Sequence, residues 1–154
     1  MEEDSELARL QKLVAAEASD GLKLSNNLQD NPICLISVDN SVPCVVVIWK
    51  RYATSTQLRF VHEAIIDLLA EHKLARILGD DTDLPTIHGD DQVWIVQNWM
   101  PRAVKVGLRA VATKRPSGFY GRLATETVQS LAPSQLTIGS FDDLDDARQW
   151  LAKA

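Results

Sequence analysis

Ile33-Cys34-Leu35-Ile36-Ser37-Val38 and Cys44-Val45-Val46-Val47-Ile48-Trp49 are two β-rich runs, and Asp39-Asn40-Ser41 between them is turn chemistry. Together they predict an antiparallel hairpin. The second run is apolar at every position, as a strand covered on both faces would be. A helix follows directly: the Thr54 hydroxyl caps its free amides, and Gln57 reaches back in the capping-box pattern. Leu58, Val61, Ile65, Leu68 and Leu69 form the buried stripe of that helix, and Arg59, Glu63, Asp67, Glu71 and Lys73 its wet face.

Three strand-then-helix units come next, over residues 75–78 with 90–106, 108–113 with 118–131, and 135–141 with 142–152. Such alternation predicts parallel strands joined by right-handed crossovers. Pro101 has no amide proton, so its helix either kinks there or stops at Trp99 and restarts with Pro101 in the first turn. Gly107 closes that helix. In the last helix Asp142, Asp143, Asp145 and Asp146 crowd the N-terminus, where the helix dipole favours carboxylates, while Leu144, Ala147 and Leu151 point inward. Upstream of the hairpin, Leu7, Leu10, Leu13, Val14 and Ala18 recur at helical spacing before a stop at Asp20-Gly21, and residues 24–32 read as a polar loop. The organisation is therefore a helix and linker over residues 1–30, then one α/β domain over 31–154.

A chain of 154 residues, 45% hydrophobic and 24% charged, has the size and make-up of one ordinary globular domain. Its net charge of −5, from 21 acidic against 16 basic residues, argues against nucleic acid or anionic lipid as a partner. The two basic pairs, Lys50-Arg51 and Lys114-Arg115, follow strands and read as solvated loop residues. There is no run long enough for a membrane span, and Met1-Glu2-Glu3-Asp4 is acidic where a secretory signal is basic, so a cytoplasmic location is expected. The hairpin is expected to set Cys34 beside Cys44. A disulfide is then conceivable, although reduced thiols are the expectation in that compartment. Their spacing fits neither a zinc site nor a redox pair.

The order of hairpin, helix and three strand-helix units closes on Phe141-Asp142-Asp143-Leu144 and Ala147-Arg148-Gln149-Trp150-Leu151. This arrangement resembles the STAS/SpoIIAA-like family, including its STAS/SEC14-domain branch, over about residues 33–152. The resemblance implies a SpoIIAA-like mixed sheet wound as a short right-handed superhelix, and a role in binding or regulation with no reaction of its own. Anti-anti-sigma members of that family carry a phosphorylatable Ser or Thr in the loop after the third strand. Here Asp90-Asp91 stands at the matching helix start, so no phospho-switch is expected at that place; Thr82 and Thr86 are the nearby hydroxyls.

The same loop holds the one chemical constellation in the chain: Asp80, Asp81, Asp83, His88, Asp90 and Asp91, at the C-terminal end of a parallel strand where open α/β sheets bind ligands. It is the candidate binding surface. Asp81-Thr82-Asp83 after a strand also resembles the nucleophile segment of haloacid-dehalogenase-type phosphatases. Such an enzyme would need magnesium, a second acidic motif and a lysine such as Lys105 or Lys114. The simpler reading makes Asp90 an N-cap, Asp91 a first-turn residue, Asp80 to Asp83 turn formers and His88 a loop histidine.

Ser117 before Gly118 lacks the pattern of a nucleophile elbow and reads as a helix cap, while Gly118 and Gly121 are too few for a phosphate cradle. No catalytic set, metal site or cofactor is expected. Trp94 and Trp99 are candidates for an apolar pocket, although Ile95, Trp99, Ala103 and Val106 also fit a sheet-facing core stripe with Trp94 at its edge. Arg102 offers a guanidinium to an anion or simply to solvent. Three functions follow, in order of preference. The first is a non-catalytic STAS-like module meeting a protein partner through residues 80–91. The second is a carrier or sensor of a small apolar ligand, and the third a metal-dependent hydrolase using Asp81 and Asp83.

Overall fold

The computed structural model describes residues 28–154. Six strands, β1 (Leu28–Asp30), β2 (Cys34–Asp39), β3 (Cys44–Trp49), β4 (Arg76–Asp80), β5 (Ala110–Lys114) and β6 (Thr137–Phe141), form one sheet in sequential order. β1, β2 and β3 pair antiparallel, and β3 to β6 pair parallel, so the mixed α/β architecture is the expected one. β1 lies in the stretch read as a loop. It is only three residues long and exists by pairing with the free edge of β2, which local sequence does not reveal. The helix expected over residues 5–18 lies outside the described residues.

The hairpin register corrects one expectation. Cys34 pairs with Trp49 and Cys44 with Asp39, so the two cysteines sit at opposite ends of the hairpin. Five residues of strand part Cys34 from Asp39, about 17 Å at the usual rise, which no disulfide spans. The odd spacing also sends the two side chains to opposite faces of the sheet, each into a different apolar cluster. Both are free and fully buried, and burial pushes their thiols up to about 12 and about 11, respectively.

Helix α1 (Ser55–His72) starts with the complete capping box: the Thr54 hydroxyl accepts from the Gln57 amide, and the Thr54 amide donates to Gln57 Oε1. Beyond β4, helix α2 (Gly89–Trp94) runs through a π-helical turn (Ile95–Trp99) into α3 (Met100–Lys105). The Met100 amide donates to the Ile95 carbonyl five residues back, a wider turn just ahead of Pro101. The helix restarts with Pro101 in its first turn, where an amide proton is not needed. Its end is a Schellman motif: Leu108 N–H donates to Ala103 O and Gly107 N–H to Val104 O, with Gly107 at φ +119°. Helices α4 (Phe119–Ser130) and α5 (Leu144–Lys153) follow β5 and β6.

The larger core lies on the face that carries Val45, Val47, Trp49 and Ile77, and helices α1 to α4 bury their stripes there. On the opposite face Cys44, Leu78, Ala110 and Ala112 pack against Ala147 and Leu151 of α5. Helix α5 closes this second apolar face of the sheet. β3 is thereby covered on both sides. Gly139 permits the close approach of α5, since a Cβ there would fall 2.8 Å from the Phe141 ring and 3.3 Å from that of Trp150. Among the described residues no helix is long and apolar enough to cross a membrane.

Candidate functional site

The acidic loop does not act as one cluster. Asp80 Oδ1 accepts from the Thr82 amide at 3.1 Å and from its hydroxyl at 2.5 Å, a turn held by the side chain that also occupies Thr82. Asp91 is 1% exposed; it accepts from Ser55 Oγ at 2.6 Å and pairs with Arg59 Nε at 3.0 Å, tying α2 to the start of α1. Asp83, His88 and Asp90 are exposed. The N-cap is His88, whose Nδ1 accepts from the Asp90 amide, so Asp90 belongs to the first helical turn instead. Ser117 is likewise no cap. Gly118 holds that position without a side-chain bond, because the Ser117 hydroxyl is drawn across to the Thr82 carbonyl at 3.0 Å.

Asp81 behaves differently from its neighbours. Its amide donates to Lys114 O at 3.1 Å, which continues the parallel ladder one residue past β4. Strand alternation then turns positions 77, 79 and 81, occupied by Ile77, Gly79 and Asp81, to the same face, beneath the sheet. There they line a cavity of about 130 Å³, partly open to solvent, between the sheet and helices α1, α3 and α4 with the π-helical turn. Trp49, Ile65, Trp99, Met100, Val111 and Ile138 supply much of its apolar wall.

Few polar groups reach this space. Thr113 and Gln129 satisfy each other and Ser140: Ser140 Oγ donates to Gln129 Oε1 at 2.6 Å, and Gln129 Nε2 to Thr113 Oγ1 at 3.3 Å. His62, on the inward side of α1, donates Nδ1–H to the Leu58 carbonyl at 2.8 Å, which leaves Nε2 as an acceptor. Burial holds its pKa down to about 4, against the raising influence of that hydrogen bond and of Glu63 and Asp91, so the ring is neutral at pH 7. It stands among Trp49, Trp94 and Trp99, with ring centroids 6.2, 6.0 and 5.0 Å away. The Asp81 carboxyl is in a residue only 8% exposed and has no hydrogen-bond partner among the described residues. Burial, assisted by the charge of Asp80, raises its pKa to about 7.

The two tryptophans singled out in the sequence part company. Trp99 lines the cavity and donates Nε1–H to the His62 carbonyl at 2.7 Å. Trp94 stays outside, between the guanidinium groups of Arg59 and Arg102 at 5.1 and 5.9 Å from its ring. Arg102 is not available to an anion, since it grips both oxygens of Glu63 at 2.8 and 2.5 Å and also binds Asn98. The basic pairs are partly neutralised in place, Lys50 by Asp30 and Arg115 by Asp142. Among the described residues no three His, Cys, Asp or Glu side chains converge as a metal-ligand set.

Sequence reasoning missed Trp49, His62 and the inward turn of Asp81. The signals were there: Ile77, Gly79 and Asp81 alternate on one strand face, and His62 falls four residues after Leu58 on the buried stripe. No protein-family model matches this chain, and none of the curated proteins is significantly similar to it.

Proposed function

We propose that this chain is a non-catalytic binding domain that carries or senses one small, mainly apolar molecule in the cavity beneath its sheet. The observation that carries this reading is the cavity itself. An apolar space of about 130 Å³ is unusual in an interior otherwise packed like an organic crystal. A comparable engineered apolar cavity of roughly 150 Å³ stays dry and takes up benzene. The resemblance to the STAS/SEC14 branch is in keeping with a ligand carrier, and the sequential sheet is in keeping with a strand-helix superhelix. Metal-dependent hydrolysis is disfavoured because Asp81 is buried against the cavity while Asp83 is exposed, so the pair does not converge on one reacting group. Docking of a protein partner on the acidic loop is weakened in turn, since Asp80, Asp81 and Asp91 face other residues or the interior.

The test uses Gly79, which lines the cavity and whose added Cβ would meet Asp81 and Thr113 only at an ordinary 3.6 Å. Benzene or cyclopentanol titrated into the labelled protein should shift the amide resonances of Ile65, Val111 and Ile138. Gly79→Val should keep the fold, with stability unchanged or raised by about 1 kcal/mol from the lost chain entropy of glycine, while abolishing those shifts. Absence of any saturable shift in the original protein would overturn the proposal.

A further inference from the structure

We infer that the molecule held in this cavity is a compact hydrocarbon carrying one basic nitrogen, and that the Asp81 carboxylate is its counter-charge. The inference rests on the ligand-binding reading above and names the chemistry of the ligand. Buried polar side chains are nearly always hydrogen-bonded, and each exception calls for a cause. Asp81 makes no side-chain hydrogen bond among the described residues although the residue is more than nine-tenths buried, and its carboxyl oxygens keep their accessible surface toward the cavity whose wall it helps form. A ligand group is the partner that this position lacks.

The rest of the lining decides the sign of that group. Among the described residues no lysine or arginine lines the cavity, so an anionic ligand would find no counter-charge and would meet Asp81 and, behind it, Asp80. His62 Nε2 in the same lining only accepts, and the Thr125 hydroxyl, which gives its proton to the Arg122 carbonyl, is likewise left as an acceptor. An acceptor and an acid both suit an N–H donor. The tryptophan rings of Trp49 and Trp99 add surfaces that favour a cation over an anion. Among the lining residues only Asp81 and His62 titrate; those from β3, β5, β6 and α4 are apolar or neutral. The volume holds about six heavy atoms of hydrocarbon, by comparison with the cavity that accepts benzene.

Where Asp81 enters as the carboxylic acid and the amine as its ammonium form, seating the ligand releases the carboxyl proton to solvent and leaves a carboxylate-ammonium pair. No net charge is then buried.

Three probes of one shape separate the possibilities: cyclopentylamine, cyclopentanol and cyclopentanecarboxylate, titrated at pH 6 and followed by amide shifts and calorimetry. The amine should bind at least tenfold more tightly than the alcohol, and the carboxylate most weakly. Calorimetry in two buffers of different ionisation enthalpy should show close to one proton released per amine bound and none for the alcohol. Asp81→Asn should bring the amine and the alcohol to within about twofold of each other. If the alcohol matches the amine, or the carboxylate binds best, the inference fails while the cavity remains a ligand site. If none of the three binds, both readings fail. Should Asp81→Asn not fold, the amine-to-alcohol ratio and the proton count of the original protein decide alone.

Discussion

Asp81 and His62 make opposite demands on pH, and their opposition yields a sharp test. The Asp81 carboxyl moves from an ordinary 3.8 to about 7 in the fold. Its folded form therefore holds a proton that the unfolded chain has lost, and stability falls as pH rises from about 4 to 7. His62 moves the other way, from 6.5 to about 4. Here the unfolded chain holds the extra proton, so stability rises with pH from about 4 to 6.5. Each pH unit inside either window is worth about 1.4 kcal/mol. The two slopes cancel between pH 5 and 6.5, where the original protein should show nearly constant stability from this pair. Removing either group exposes the other. Asp81→Asn should gain about 2 kcal/mol between pH 5 and 6.5 from His62 alone, and His62→Phe should lose about 2 kcal/mol between pH 5 and 7 from Asp81 alone. Starting at pH 5 keeps Asp39, held at about 2 chiefly by the Ser41 hydroxyl, out of the measurement. Urea unfolding at half-unit steps gives the curves. If the stability of Asp81→Asn runs parallel to that of the original protein across pH 5 to 8, Asp81 is not a buried, unpaired acid, and both the cavity chemistry and the amine inference lose their basis.

Two further substitutions test the backbone reasoning. Gly121→Ala in α4 would place a Cβ 2.5 Å from the Leu84 carbonyl and 2.8 Å from Pro116 Cβ, so it should destabilise by about 1–3 kcal/mol, where an open helical site would gain about 1. A higher melting temperature would show that α4 does not press on the 84–85 backbone. Lys73, exposed at the end of α1 with φ 54°, holds a left-handed conformation that disfavours any residue with a Cβ. Lys73→Gly should stabilise by up to about 1 kcal/mol in urea unfolding while Lys73→Ala does not. Equal effects of the two would refute the cap.

What the sequence reveals divides by range. The hairpin, the capping box at Thr54 and the acidic start of α5 are local, each specified by residues within a few positions, and each forms as read. The misreadings differ in range: Asp90 yields the N-cap to His88 only two residues before it, whereas Ser117 loses its cap to a distant competitor. Ser117 has cap chemistry, but the Thr82 carbonyl 35 residues away takes its hydroxyl. Asp91 sits in the first helical turn as expected, but its partners Ser55 and Arg59 lie on another helix and are not legible locally. The cysteines are a different case, because pairing about the Asp39–Cys44 turn already assigns Cys34 to Trp49; the register was readable and only needed counting. At the site, alternation along β4 foretells an inward Asp81, whereas the space in front of it depends on residues brought together by the sheet.

That space has an identifiable origin. In the parallel register Gly79 lies between Val47 and Thr113, so the centre of the sheet face under α1 to α4 carries the smallest possible residue beside two of modest size. Larger residues there would fill it, and a Cβ at Gly79 meets no obstacle. A volume of about 130 Å³ costs at most about 3 kcal/mol at the penalty measured for sealed core cavities, and less here because it opens partly to solvent. Keeping Asp81 unpaired next to it costs up to about 4 kcal/mol above pH 7. Each cost alone could be a local flaw of packing. Together they are comparable to the whole net stability of an ordinary domain, and they fall on the same few atoms. A ligand that fills the volume with hydrocarbon and meets the carboxyl with a charged nitrogen removes both at once. Filling the volume alone, as Gly79→Val does, relieves only the first, so it should leave the pH dependence of Asp81 in place.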